Sequence, residues 1–589
     1  MNEKPSYLNS ELPSQERVND LLSRMTLSQK IGQMVQAEWP NISPKEMEEY
    51  ELGSLLSGGE ILLPENTQAG WKKIIQDYQD ALAKTSLKIP MIFGVDAVHG
   101  HNNMYGATIF PHNIGLGAAN DVEGVFKMSQ ITGKEVLATG INWNFSPSIA
   151  SAKDPRWGRT YESFSTDPAI ASRLGLAFTQ GHLSVGMVGC AKHYLGDGGT
   201  KMGTGLSNKM DRGNTILTKT EITTELLPPY QAQIAAGVQT IMPSYSSLNG
   251  TKMHENSYYI QEVLKGALGF QGFIISDYEA IREIKNANFE EQIWKAVNSG
   301  IDMLMEPVKW KSTIYALKRG VENEHIREAR IDDAVSRILK VKFESGLFED
   351  PNQNKTKFQA RQFRAKTAQK VAQDLAQRSL VLLKNEKAIL PIPFHTKIFI
   401  TGAGVHNIGL QCGGWTIDWN GRIDGKEKIT EGVTILEGLK NLAPTKRITL
   451  IKDKKEANKA DIVLQVLSEK PYAEMNGDCA EISLIGPMAH PDNEATMNFV
   501  NTLNKPTVTV ILAGRHLANL EKDLATWDAC IMAYLPGSEG GQAIADTLLG
   551  KTDFVGRLPM PWYKTVEDIE KVTPDLLFDI GYGLSYPIG

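Results

Sequence analysis

Residues 272–281, GFIISDYEAI, decide how the chain is read. The apolar run Phe273-Ile274-Ile275 ends abruptly at Ser276-Asp277. It is short, follows a glycine, favours the extended conformation and shows no helical period, so it reads as a buried parallel strand. A carboxylate at the end of such a strand is costly unless it faces a cleft. In parallel α/β architectures that strand end opens onto the active site. Asp277 therefore has two readings that this stretch leaves open. It is a catalytic nucleophile in a cleft, or it caps the next helix, a position Asp favours.

The same pattern recurs upstream. Runs at 90–95, 141–145, 187–191 and 238–242 end respectively in Asp96, a Ser-Pro turn, Lys192-His193, and Pro243-Ser244-Tyr245. A run at 301–305 ends in Glu306. Most are spaced as a strand plus a return helix requires, which favours a barrel or a large parallel sheet. Asp96, Lys192, His193, Tyr245 and Asp277 all follow strand ends, where each is awkward to bury alone. Together they would line one polar pocket. Residues 14–38 read as helical, with Thr26 and Gln29 as a capping box. The segment 153–167, KDPRWGRTYESFSTD, holds Arg156, Arg159, Trp157 and Tyr161. Arginine forks suit hydroxyls or carboxylates, although a solvated surface loop is the commoner outcome. His99 and His101 stand two apart with no supporting ligand pattern, so they read as loop residues and no metal is expected.

At 589 residues the chain is too long for one ordinary core, so two large domains are expected. Hydrophobic residues make up 41% and charged residues 22%, and the net charge of −6 is spread along the chain. No basic stripe points to nucleic acid and no amphipathic basic helix points to a membrane. The 4 cysteines are scattered without a CxxC pair, against a zinc ribbon or redox motif. MNEKPSYLNSELPSQ lacks the apolar core of a signal peptide. The expectation is a cytoplasmic protein, or a periplasmic or secreted one if a leader has been removed.

Residues 346–366 are polar and form the best linker candidate. Strand-like runs then resume at 379–383, 397–400, 448–451, 462–466, 508–512 and 529–533 with helical segments between most of them, giving a second α/β sheet. TGAGVHNIG has its third glycine out of register for a dinucleotide fingerprint, so no nicotinamide cofactor is expected. The loop QCGGWTIDWNG at 411–421 offers Trp415 and Trp419 as an aromatic platform or as packing against the other domain. The loop SEKPYAEMNGD at 468–478 brings Glu469, Glu474 and Asp478 close together. A carboxyl there could act as a general acid; a hydrophilic surface loop is the commoner case.

Carboxylates on two domains facing a polar and aromatic pocket suit glycoside hydrolysis, which needs one group to attack the anomeric carbon and another to protonate the departing oxygen. An Asp near its reference pKa of about 3.9 would stay ionised at neutral pH beside Lys192 and Arg159, and a partly desolvated Glu would hold the proton.

RVNDLLSRMTLSQKIGQM, GVDAVHG, DPRWGRTYES, CAKHYLGDGG, GFIISDY, CGGWTIDW, EKPYAEMNGD and PGSEGGQAIADTLLG occur in the order found in glycoside hydrolase family 3. The resemblance is to its two-domain β-glucosidases and β-glucan exohydrolases, and it covers nearly the whole chain. It implies a (β/α)8-like TIM barrel at 1–345 carrying the nucleophile, a linker at 346–370, and an α/β sandwich domain at 371–589 carrying the acid/base. It implies a retaining double displacement with Asp277 as nucleophile and Glu474 as acid/base. Asp96, Arg159, Lys192, His193, Tyr245 and Asp211 would hold the terminal sugar, with Trp419 walling the next one. No cofactor is implied. The expected ligands are glucose and β-linked gluco-oligosaccharides. One departure is Tyr278, where exohydrolases typically have Trp; the wall opposite Trp419 is then smaller. The N-acetylglucosaminidase branch carries a His in a KHFPGHG-like loop, where this chain has Asp197, and that branch is set aside. A β-xylosidase or a catalytically silent sugar-binding homologue remain the alternatives.

Overall fold

The computed structural model describes residues 5–59, 63–354 and 362–586; the part of the expected linker at 355–361 lies outside the described residues. Its first half is an eight-stranded parallel sheet. The strands are Val35–Glu38, Ser54–Ser57, Ile92–Val95, Trp143–Asn144, Val188–Tyr194, Thr240–Pro243, Phe273–Ile274 and Leu304–Met305, each beside its neighbour in the chain, with the last also paired to the first. A parallel bridge between Ile275 and Met303 joins the remaining two edges, with Met303 N donating to Ile274 O at 2.9 Å. The sheet thus curls into the expected (β/α)8-like barrel.

The reading of 14–38 as helical needs correction. Helices cover Ser14–Arg24 and Leu27–Gln33, and the chain then turns into the first barrel strand, Val35–Glu38. The Thr26–Gln29 capping box is present. The strand Ser54–Ser57 is likewise one that the sequence pattern does not reveal. Both strands are four residues long and carry polar groups inward, which erases the apolar signature. Gln36 Nε2 donates to Ser54 Oγ at 2.7 Å, and Ser54 Oγ donates to Ile92 O at 2.7 Å, so these buried groups are linked between neighbouring strands, while Gln36 Oε1 is left without a hydrogen-bond partner among the described residues. At the N-terminal ends of the strands the buried Lys342 ammonium donates to Gln33 Oε1, Gly53 O and Pro90 O at 2.7–2.8 Å.

The second half is a six-stranded sheet in the order Val381–Asn385, Ala529–Met532, Thr507–Leu512, Ile462–Ser468, Lys397–Thr401, Thr449–Ile451. Only its first strand runs antiparallel. Its central strands are buried along their whole length, as strands covered by helices on both faces must be. The helix Lys366–Ser379 packs on Asn113–Ala119 and Val122–Ala138 of the first half and on Gly540–Leu548 of the second.

Candidate active site

The C-terminal ends of the barrel strands meet two loops of the second half, 411–421 and 469–478. Between them lies a cavity of about 280 Å³. Asp96, Arg159, Lys192, His193, Tyr245, Asp277, Tyr278, Trp419 and Glu474 all line it.

Asp277 stands three residues past the end of its strand, Phe273–Ile274, and its Oδ1 accepts from Tyr278 N at 2.7 Å. The next helical turn, Ala280–Glu283, has Glu279 at its N-cap and no side-chain cap, so the capping reading of Asp277 falls. Its own N–H donates to His254 Nε2 at 3.0 Å. His193 Nε2 lies 3.7 Å from Asp277 Oδ2. Arg159 Nη2 donates to that same Nε2 at 3.3 Å, which leaves the proton on Nδ1, 2.8 Å from Asp197 Oδ2. Burial, Arg159 and Lys192 keep this imidazole neutral, its pKa well below the ordinary value. On the far side Lys192 Nζ pairs with Asp96 Oδ1 at 2.5 Å and lies 5.6 Å from the Trp415 ring centroid.

Arg159 is fixed by a two-pronged pair with Glu162, at 2.9 and 2.8 Å. Its remaining Nη1 reaches Glu474 Oε1 at 3.4 Å. Arg212 Nη2 takes the other oxygen, Glu474 Oε2, at 3.1 Å, while its guanidinium stacks 3.8 Å above the Tyr245 ring. Glu474 has a φ of 49°, a left-handed conformation that surroundings must enforce on a non-glycine residue. Its segment packs on the barrel loop so closely that a Cβ on Gly158 would stand 1.9 Å from Glu474 O.

The charges invert one expectation. Burial and then Glu474 push the Asp277 carboxyl up to about 6, against the pull of Arg159, the Tyr278 N–H and Lys192. Burial also pushes Glu474 up, but Arg159 and Arg212 outweigh it and hold it below the ordinary range. The reason is geometric: both guanidiniums sit on Glu474, and Asp277 has none as near.

Residues 26–341 match the family description "Glycosyl hydrolase family 3 N terminal domain" and residues 380–586 match "Glycosyl hydrolase family 3 C-terminal domain". The chain belongs to glycosyl hydrolase family 3. It is 31% identical to the lysosomal β-glucosidase of Dictyostelium discoideum, over 97% of this chain and 76% of that one. The crystal structure of an exo-1,3/1,4-β-glucanase from a Pseudoalteromonas species superposes with a TM-score of 0.90 at 34% identity, covering 99% of this chain and 75% of that one. A mutant β-glucosidase from Listeria innocua in complex with laminaribiose superposes with a TM-score of 0.84 at 26% identity, over 97% and 83%.

Within this family 3 hydrolase, Asp211 is not in the lining. It is buried behind it, accepting from Trp157 Nε1 at 2.9 Å, and the next residue, Arg212, faces the cavity instead. Arg212 is the residue that sequence reasoning missed; a lone Arg in a polar loop carries no signal. Of the other two carboxyls in the 468–478 loop, Glu469 pairs with Arg515 at 3.1 Å. Asp478 accepts the N–H groups of Gly158, Met210 and Asp211 at 2.6–2.9 Å. Trp415 is buried, and its Nε1 donates to Glu162 Oε1 at 3.1 Å, so its edge packs into the barrel while its ring walls the cavity. Tyr278 is braced through its hydroxyl, which donates to Glu38 Oε2 at 3.0 Å. His99 and His101 lie in a loop, as read, and are buried in it; His99 stacks on His112 at 3.7 Å and binds Phe110 O, and His101 binds Thr139 Oγ1. Among the described residues no helix is long and apolar enough to cross a membrane.

Proposed function

We propose that this hydrolase is a retaining, exo-acting β-glucosidase that removes glucose from the non-reducing end of β-linked gluco-oligosaccharides. The observation that carries the reading is the facing of Asp277, from the barrel, and Glu474, from the second half, across one small cavity, with the guanidiniums of Arg159 and Arg212 on Glu474. In the first step Asp277 attacks the anomeric carbon while Glu474 gives its proton to the departing glycosidic oxygen. In the second, the Glu474 carboxylate takes a proton from water, whose oxygen displaces Asp277 and releases glucose. The pair must carry one proton, on Glu474, when the first bond breaks. Substrate seated against Arg212 and Arg159 competes for their donors and so returns Glu474 toward its protonated form. Asp96, Lys192, His193, Arg159 and Tyr245 supply the donors and acceptors that hydroxyl groups need. The names of most of the similar proteins, β-glucosidase and exo-β-glucanase, favour glucose, although a β-xylosidase is also among them, and a cavity at the small end of ligand sites favours a terminal residue over a chain interior.

The test compares hydrolysis of laminaribiose, cellobiose, sophorose, gentiobiose and an aryl β-xyloside by the wild type and by Asp277→Asn. Glucose release from the disaccharides, abolished in the variant while glucose binding persists, is the expected result. Activity on the xyloside alone moves the substrate to xylose. No turnover of any of them removes the catalytic reading.

A further inference from the structure

Arg515 lies in the loop that follows the strand Thr507–Leu512, and its side chain is completely buried. It lines no part of the catalytic cavity. Nearly every donor it has is committed. Nε reaches Tyr472 OH at 2.9 Å and Glu469 Oε1 at 3.1 Å. Nη2 donates to Gly477 O at 2.7 Å. Nη1 donates to Pro155 O and Arg156 O at 3.1 and 3.2 Å.

These partners are not scattered. Tyr472 and Gly477 bracket Glu474, so one guanidinium grips both ends of the turn that carries that carboxylate. Pro155 and Arg156 lead into Arg159, whose guanidinium meets Glu474 at 3.4 Å. A planar cation with fixed donor directions sets the distance between the two backbones it joins. The turn needs such support, because Glu474 is held at a φ of 49°. Charged hydrogen bonds in a dry interior are strong, and losing one partner leaves the others unsatisfied.

We propose that Arg515 is a positioning residue that sets Glu474 for proton transfer by clamping its turn to the barrel loop bearing Arg159. The proposal rests on the reading of Glu474 as proton donor. It separates from a merely structural role by its dependence on the leaving group. A dinitrophenolate departs without a proton, whereas phenol or a sugar hydroxyl needs one. General acid catalysis is typically worth about 10²–10⁴ in rate, so misplacing the acid costs only the substrates that use it.

The experiment measures kcat/KM of the wild type, Arg515→Lys, Tyr472→Phe and Glu474→Ala on dinitrophenyl β-glucoside, phenyl β-glucoside and laminaribiose. The expected result for Arg515→Lys is a loss of about 10²-fold on the phenyl glucoside and the disaccharide, with the dinitrophenyl glucoside within about threefold of wild type. Tyr472→Phe, which removes one acceptor and keeps the cation, should show the same selectivity at several-fold. If Arg515→Lys does not accumulate as folded protein, Tyr472→Phe decides. Equal loss on all substrates, or no loss on any, overturns the proposal. A wild type inactive on every glucoside, or a Glu474→Ala enzyme without leaving-group selectivity, instead overturns the underlying reading of Glu474.

Discussion

With Asp277 as the proposed nucleophile, the acid side of the pH–rate profile is set by its carboxyl. Only its ionised form can attack, and burial together with Glu474 puts its pKa at about 6. With a substrate whose leaving group needs no proton, kcat/KM should fall as pH drops through that value. One pH unit below it, at pH 5, about one-tenth of the carboxyl is ionised, so the rate should stand at about one-tenth of its plateau. Glu474→Gln removes the negative charge that helps raise Asp277, while its burial remains, so the limb should move to lower pH. The assay is initial-rate kinetics on dinitrophenyl β-glucoside between pH 4 and 8 with wild type and Glu474→Gln. A wild-type plateau that persists to pH 4.5, or a limb that stays at about 6 in the variant, refutes the reasoning. The same perturbation has a counterpart in stability. A carboxyl that binds its proton more tightly folded than unfolded contributes most below its unfolded pKa, and that contribution is lost as pH rises toward about 6. Asp277→Asn should therefore lose this part of the pH slope in urea unfolding.

Two further outcomes are expected. Tyr278→Phe removes the hydroxyl that binds Glu38 at 3.0 Å; a lost hydrogen bond of about 0.5–1.5 kcal/mol corresponds to a roughly two- to tenfold rise in KM for disaccharides. Aryl glucosides should change less, and an equal change on both would show that Tyr278 does not act at the second sugar. Lys342→Met strands three buried acceptors at the far end of the barrel, which should lower stability by about 3 kcal/mol or more in urea unfolding while leaving kcat/KM of the folded enzyme intact; an unchanged midpoint would contradict that account.

The site was legible where a side chain breaks a strand. Asp96, Lys192, His193 and Asp277 announce themselves because each interrupts or follows an apolar run. Arg212 gives no such signal, since its role comes from Tyr245 and Glu474, distant in the chain and adjacent only in space. The strands Val35–Glu38 and Ser54–Ser57 were invisible for a related reason: Gln36 and Ser54 are polar yet face inward, made tolerable by each other. The charge state of the two carboxyls could not be read at all from the residues, because it turns on which of them the guanidiniums reach.

Asp478 holds three N–H groups from two separate barrel loops, those of Gly158, Met210 and Asp211. Shuffling halves between relatives would have to respect those bonds. A hybrid built by joining one parent's barrel to another's second half can keep both cores and both carboxylates proposed as catalytic and still be inactive, because the seam is matched atom by atom. A working hybrid would have to inherit the segments around 155–159 and 209–212 from the same parent as the segment around 472–478. The unit of inheritance for this activity is the seam.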